Sequence, residues 1–166
     1  MSIMKKAFKV LLCAMMCFAS MTMLEAEVEA INVAANKATV ASSTYPTEKF
    51  STTFAVDEDL GTRWGNNYNS DTFKGGNREE TFTVDLGIAY TIDSVEIVWE
   101  AAHATAYTIQ GSNDGETYVN LKDITNGAGG TETHNAVSTE KYRYVRLAMH
   151  QSANKYGYSF YELRVY

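Results

Sequence analysis

The stretch "TFTVDLG", residues 81–87, decides the fold. Phe82, Val84 and Leu86 take every second position, with Thr81, Thr83 and Asp85 between them. A strand turns successive side chains to opposite faces, so this spacing makes one apolar face and one polar face. "SVEIVWE", residues 94–100, repeats the period with Val95, Ile97 and Trp99. "YTIQGS", residues 107–112, leads through Asp114-Gly115, a hairpin signal, into "TYVNL", residues 117–121. "RYVRLAM" (143–149) places Val145 and Leu147 on one face, and "SFYELRVY" (159–166) does the same for Tyr161, Leu163 and Val165. Nothing after residue 30 keeps a helical period for three turns. Short strands at this spacing, divided by Gly-rich turns such as "NGAGG" (126–130), predict an all-β chain: an antiparallel sandwich or barrel.

The chain has 166 residues, 45% of them hydrophobic and 12% aromatic, enough for one domain with a real core. Its first thirty residues stand apart. Lys5, Lys6 and Lys9 precede an apolar run at residues 10–23, and the small residues Ala26 and Ala30 follow. This is the pattern of a cleaved secretory signal peptide, with an apolar run too short to span a bilayer comfortably. The expected domain is therefore 31–166, secreted or held at the cell surface. Cys13 and Cys17 both fall inside the leader, so the mature domain has no thiol, disulfide or cysteine metal site. The leader carries three Lys and three Glu, so the net charge of −6 survives its removal. An acidic domain is a poor partner for nucleic acid or an anionic membrane. Catalysis is also disfavoured. Glu79 and Glu80 are neighbours on a strand and should face opposite ways, and His103, His134 and His150 are scattered, with no serine elbow to join them.

"AVDEDLGTRW", residues 55–64, puts three acids in a row before a Gly, a Thr and an Arg-Trp pair. A hard cation needs several oxygens near one point, and a tight turn offering Asp57, Asp59, Thr62 and free carbonyls can supply them. An EF-hand is excluded, because counting from Asp57 the sixth and twelfth positions are Thr62 and Tyr68 rather than Gly and Glu. On residue types alone, a cation loop and a solvated acidic turn both remain open. Trp64 is expected to pack in the core. Arg63 offers a fixed fork of donors suited to paired sugar hydroxyls, and Tyr68 offers a flat apolar face for a pyranose ring.

"AVDEDLGTRW", "VDLG", "VWEAAHATAYTIQGSNDGETY", "KYRYVRL" and "YGYSFYELRVY" follow one another in an order and spacing that resembles discoidin domains, the coagulation factor V/VIII type C fold. More narrowly, they are similar to its bacterial carbohydrate-binding branch, carbohydrate-binding module family 32. The resemblance covers nearly all of the mature chain. It implies an eight-stranded antiparallel jelly-roll β-sandwich of the galactose-binding-domain type, with a structural calcium ion. By position, Asp57 supplies a side-chain oxygen to that ion, Phe54 and Asp59 supply carbonyls, Thr62 a carbonyl and a hydroxyl, and Tyr161 and Glu162 a carbonyl and a carboxylate. The implied glycan pocket lies at the loop end and uses Arg63, Tyr68 and Glu100, with His103 and Tyr156 as further candidates. Tyr45, just after the "SS" of the first strand, joins this set. The competing reading pairs Arg63 with Glu100 for structure alone.

The expected function is thus an exported, non-catalytic carbohydrate-binding module, of the kind attached to glycoside hydrolases as an accessory part. A protein or membrane adhesion module of the discoidin type is the alternative, and an enzyme acting on glycans comes third. Adhesive relatives usually close their ends with a disulfide and expose apolar loop tips, whereas this chain lacks the cysteines and is acidic. Relatives that bind glucosamine oligomers tend to place a carboxylate shortly after the "SS", where this chain has Tyr45 with Glu48 further on, and many relatives of the family place an Arg where this chain has Ser152. A cationic sugar is therefore disfavoured. Expected partners are a galactose-type, N-acetylhexosamine or β-glucan oligo- or polysaccharide, met by a monomer. "NNYNSDTFKGGNREE", residues 66–80, is expected to reshape the rim beside Tyr68.

Overall fold

A computed structural model describes residues 30–69 and 79–166. The expected leader lies outside the described residues except for Ala30, as does the 70–78 part of the rim segment. Among the described residues there are nine strands: β1 (Ala38–Ala41), β2 (Trp64–Gly65), β3 (Glu80–Thr91), β4 (Ser94–Trp99), β5 (Ala104–Ser112), β6 (Val119–Ile124), β7 (Thr131–Asn135), β8 (Lys141–Ser152) and β9 (Ser159–Val165). Short 3-10 turns at Glu48–Phe50 and Thr52–Ala55 link the first two. Counting the two-residue β2 accounts for nine strands where the resemblance implies eight. No helix among the described residues is long and apolar enough to cross a membrane.

The strands form two antiparallel sheets, one ordered β1-β3-β8-β5-β6 and the other β2-β9-β4-β7. The expected alternation holds in the central strands. Phe82, Val84 and Leu86 of β3, and Val145, Leu147 and Met149 of β8, are buried on the inner face of the first sheet. They meet Val95, Ile97 and Trp99 of β4 across the sandwich. The core is anchored by rings: Phe160 lies 5.1 Å from Trp64, 4.9 Å from Phe82 and 5.5 Å from Trp99, centroid to centroid. Trp64 is fully buried, as expected, and donates Nε1–H to Thr44 Oγ1 at 3.3 Å.

One expectation is corrected by local geometry. The alternation in "SFYELRVY" predicts Tyr161 inside with Leu163 and Val165, yet Phe160 is buried in its place and Tyr161 is half-buried. The cause is a bulge. Val98 pairs with Glu162 and Trp99 with Phe160, so Tyr161 is one residue too many for the ladder and the period slips by one. The Asp114-Gly115 hairpin joins β5 to β6 as expected, through the six residues 113–118. Gly115 takes a φ of 77°, and Asp114 Oδ1 accepts from the N–H groups of Glu116 and Thr117 at 2.9 and 2.8 Å. These donors favour the charged carboxylate and hold Asp114 down to about 2.

The chain start is tied to the last strand. Val33 N–H donates to Val165 O at 2.8 Å, while Asn32 Oδ1 accepts from both Ala34 and Val165 N–H. Removing the central ring should show how much the sandwich depends on it. Phe160→Ala is expected to lower the unfolding free energy by about 3–5 kcal/mol in a denaturant titration, and a loss below about 1 kcal/mol would mean that the ring cluster is not the anchor.

Candidate functional site

Two polar features sit where the early loops meet the start of β9. The first is a knot of oxygens. Thr62 Oγ1 lies 3.1 and 2.8 Å from the two carboxylate oxygens of Asp57, 3.0 Å from Asp59 O and 3.5 Å from Phe54 O. A hydroxyl has one proton to donate, so four acceptors crowd a single hydrogen. The turn is tightened by Asp59 N–H donating to Asp57 Oδ1 at 3.0 Å and Gly61 N–H donating to Asp59 Oδ1 at 2.8 Å. Glu58 between them takes a left-handed φ of 63°, unusual for a residue with a side chain.

Glu162 closes this knot from the last strand. It is 0% exposed, and neither carboxylate oxygen accepts a hydrogen bond of normal geometry. Burial is the main cause that pushes its carboxyl up to about 7; the nearby Asp57 carboxyl raises it further, and the Glu58 N–H and Arg164 act the other way. An unpaired buried carboxylate is expensive, and a cation among these oxygens would relieve the cost. The donor set fits a hard cation: carboxylates from Asp57 and Glu162, the Thr62 hydroxyl, and main-chain carbonyls. Tyr161, left out of the ladder by the bulge, is next to it in the chain. Among the described residues, no three His, Cys, Asp or Glu side chains are placed to hold a metal ion together. The knot has two carboxylates, and its other oxygens are of kinds that are not in that set.

The second feature is a pocket of about 510 Å³ beside the start of β9. Arg63 reaches it from the position before β2, Glu100, Ala101 and Ala102 from the β4–β5 loop, Asn154 and Tyr156 from the β8–β9 connection, and Ser159 from the first position of β9. Tyr45, Phe50 and Tyr68 complete the lining. Of the expected glycan residues, the structure brings together Tyr45, Arg63, Tyr68, Glu100 and Tyr156. His103 is not among the lining residues. Its Nδ1 lies 3.3 Å from Ala101 O, and its ring packs against Gly129, where an added Cβ would fall 2.7 Å from that nitrogen.

The aromatic wall is a cluster rather than a single platform. Tyr45 stacks on Tyr68 at 5.2 Å and 15°, Tyr68 meets Tyr156 edge-on at 5.6 Å and 87°, and Tyr45 meets Phe50 edge-on at 5.4 Å. The Arg63 guanidinium carbon sits 5.0 Å from the Phe50 ring centre. Arg63 Nη1 and Glu100 Oε1 are 3.9 Å apart, with the two side chains 35% and 24% exposed. An ion pair this long and this wet contributes little to stability. Glu100 is oriented instead by its second oxygen, which accepts from Ala102 N–H at 3.0 Å. Arg63 Nε is buried and has no acceptor.

Sequence reasoning missed Phe50, Ala101, Ala102, Asn154 and Ser159. Four of these lie in the stretches around its candidates: "EAAH" (100–103), with Glu100 and His103, and "NKYGYS" (154–159), with Tyr156. Asn154 pins those loops together, because its Nδ2 donates to Ala101 O at 2.9 Å and its Oδ1 accepts from Tyr156 N–H at 2.9 Å. The three histidines are far from a common centre: His134 Nε2 meets Tyr107 Oη at 2.6 Å, and His150 Nδ1 meets Glu79 at 3.3 Å. Glu79 is exposed and Glu80 buried, so the pair faces opposite ways as expected.

Residues 37–163 match the model of the F5/8 type C domain. The chain belongs to this family. Among solved structures, this F5/8 type C chain is similar to chitosan-binding module 1 of a chitosanase/glucanase from Paenibacillus sp. IK-5, with 31% identity and a TM-score of 0.71 over 82% of this chain and 99% of that one. It is similar to chitosan-binding module 2 of the same enzyme, solved with chitotriose, with 32% identity and a TM-score of 0.71 over 81% and 99%. The family 32 carbohydrate-binding module from Clostridium perfringens NanJ, solved with galactose, shares the sandwich fold at 19% identity and a TM-score of 0.66 over 78% and 93%. No curated protein matches the chain. The family and these neighbours are binding modules rather than catalytic domains.

Gly157 holds the pocket's β8–β9 wall. It takes a φ of 79°, and an added Cβ would collide with the buried Asn66 side chain, lying 2.9 Å from Cγ and Nδ2 and closer to Oδ1, which accepts the Tyr158 N–H at 2.8 Å. Gly157→Ala is expected to cost at least about 2 kcal/mol from strain and collision together. A thermal unfolding curve that matches the wild type would refute this packing.

Proposed function

We propose that this domain is an exported, non-catalytic glycan-binding module that seats an oligosaccharide in the loop-end pocket and is held by a structural calcium ion. The observation that carries the reading is the convergence of Arg63, Glu100 and the Tyr45–Tyr68–Tyr156 cluster on one pocket. Tyrosine rings offer apolar faces and edges to a pyranose, while Arg63 and Glu100 offer a donor and an acceptor to its hydroxyls. The similarity to modules whose names record chitosan binding supports the same class of partner. Galactose-type, N-acetylhexosamine and β-glucan units all suit such a pocket. Among the described residues, Tyr156, 52% exposed, is the one prominently exposed large hydrophobic side chain in the lining, which favours a sugar over a lipid or an apolar protein face.

Recognition of this kind is weak for each sugar. A single ring has about a dozen heavy atoms, and about −0.3 kcal/mol each gives near −4 kcal/mol, or roughly millimolar affinity. Useful retention then depends on repeated contacts along a polymer or on several modules.

For calcium, Asp57 and Glu162 supply carboxylate oxygens, Thr62 its hydroxyl and carbonyl, and Phe54, Asp59 and Tyr161 carbonyls. The ion's contribution is charge neutralisation and a tie between residues 54–62 and the last strand, where no disulfide is available. If it binds only the folded domain, a hundredfold excess over the dissociation constant adds about 2.7 kcal/mol. Scanning calorimetry should then show a melting point roughly 5 to 15 °C lower in chelator than in calcium. Coincident scans would remove the metal assignment.

A glycan array tests the pocket. Arg63→Ala should abolish retention on the sugar class that the wild type binds, as should Tyr68→Ala, while the Arg63 change leaves stability within about 0.5 kcal/mol. A large loss of stability in Arg63→Ala would favour the structural ion pair instead. Sugar-independent sedimentation with liposomes would favour adhesion.

A further inference from the structure

The outer face of the five-stranded sheet carries a row of side chains that the loop-end pocket does not use. Val40 pairs with Thr83, Thr83 with Arg146, Arg146 with Gln110 and Gln110 with Asn120, so the row crosses β1, β3, β8, β5 and β6 in turn. It looks away from the core, because Phe82 and Val84 on either side of Thr83, and Val145 and Leu147 on either side of Arg146, are buried. Neighbouring strands lie about 4.8 Å apart, so the row spans about 19 Å. At its first end Val40 is 64% exposed, and a groove of about 230 Å³ runs between Val40, Thr83, Asp85 and Tyr144.

Arg146 is the exception among the described arginines. Arg143 holds Asp85 with two hydrogen bonds of 2.8 Å, Arg164 meets Glu96 at 2.6 Å, and Arg63 lies 3.9 Å from Glu100. Among the described residues, no carboxylate is within ion-pair reach of Arg146. Its guanidinium is nevertheless held in place: the central carbon lies 3.4 Å from the Tyr118 ring centre, Nε donates to Gln110 Oε1 at 2.7 Å, and Gln110 Nε2 donates to Asn120 Oδ1 at 2.8 Å. Partial burial is the main cause that lowers its pKa from the ordinary arginine value, with Tyr118 acting the other way. Its two Nη atoms are not buried, and no described residue accepts from them. A guanidinium fixed in this way, with both Nη groups open, suits a carboxylate bound through two parallel hydrogen bonds.

We propose that this sheet face is a second binding surface, which takes a uronic acid residue of an acidic polysaccharide with its carboxylate on the Arg146 Nη groups. The sugar ring lies in the groove against Tyr144 and Val40, and the chain continues across the strands toward Asn120. The strand spacing is close to the length of one pyranose, so successive sugars meet successive strands. An acidic peptide is served less well, because β3, β8 and β5 are interior strands whose backbone groups are already paired and have no edge to lend it. Asp85 does not compete for Arg146, since Arg143 binds it and Lys37 adds to the field around it. The net charge of −6 is spread over the chain, and at physiological salt charges beyond about 8 Å are largely screened. The loop-end pocket shares none of these residues, so the inference stands apart from the reading given for it.

Isothermal titration of the protein with hexamers of galacturonate, mannuronate and glucuronate, each beside its methyl ester, tests the assignment, because esterification removes the charge and keeps the ring. At least one free acid is expected to bind at least about tenfold more tightly than its ester. Arg146→Gln should remove that margin. Arg146→Lys should keep only part of it, since an ammonium retains the charge without the fork, and it serves where the glutamine variant fails to fold. Arg63→Ala, at the loop-end pocket, should leave the affinity for the acid within about twofold. Acid and ester bound alike, a margin that survives both Arg146 changes, or no binding of any hexamer overturns the proposal. So does a margin lost in Arg63→Ala, which would seat the acid in the loop-end pocket, and so does hexaglutamate bound as tightly as the best uronate, which would give the face to acidic proteins.

Discussion

The functional end of this domain depends on one extra residue in the last strand. Leu163 and Val165 fix which face of β9 looks inward, and strict alternation would carry Tyr161 inside and Phe160 out. The bulge at Tyr161 reverses that order, sending Phe160 into the ring cluster with Trp64, Phe82 and Trp99. Because Trp64 pairs with Phe160 and Gly65 with Ser159, the short strand β2 docks on the segment that the bulge has re-aimed. Arg63 is thereby carried to the pocket and Thr62 to the oxygen knot, one residue apart. Bulges commonly re-aim side chains beside binding sites, and this one serves two neighbouring features at once.

Electrostatics separates those two features. At the knot, acceptors outnumber protons: Thr62 has one hydroxyl hydrogen among four oxygens, and the Glu162 carboxylate is buried without a normal hydrogen bond. At the pocket the unmet group is a donor, since Arg63 Nε–H is buried without an acceptor. An excess of oxygen calls for a cation, whereas an unmet N–H calls for an acceptor on the partner. The net charge of −6 predicts neither, because each imbalance is set by the few groups within hydrogen-bonding or ion-pair reach.

The sandwich was legible wherever a strand keeps its period. Phe82, Val84 and Leu86, or Val95, Ile97 and Trp99, announce their inner face because one side of each strand is buried and the other is not. The last strand was less legible, since a bulge shifts the period without a marker in residue type, and Tyr161 and Phe160 are both large aromatic residues that can fill an inward position. The pocket's charged and aromatic residues could be placed by resemblance, with Phe50 the main omission. Phe50 follows Pro46 in a short 3-10 turn, and its importance comes from Arg63 lying over its ring, a contact across thirteen positions that local patterns do not encode. His103 shows the reverse error. Its residue type suits a sugar site, but the loop turns it toward Gly129, whose missing side chain makes the room.

The knot and the pocket are built from the same two pieces of chain. Phe50 and Arg63, which line the pocket, bracket Phe54, Asp57, Asp59 and Thr62 of the knot; Ser159 and Glu162 repeat this division on the last strand. The backbone from 50 to 65 is therefore a closed loop whose ends face the pocket and whose middle faces the knot. Its ends are fixed by Tyr45 N–H on Gly65 O at 2.9 Å and by the pairing of β2 with β9, while its middle rests on the Asp57–Thr62 contacts and on whatever balances Glu162. A group that binds one part of such a loop limits the freedom of the other, and the limitation is reciprocal by thermodynamic necessity. Holding the acidic turn in place thus does more than join the two ends of the domain, because the same turn sets the position from which Arg63 meets a ligand.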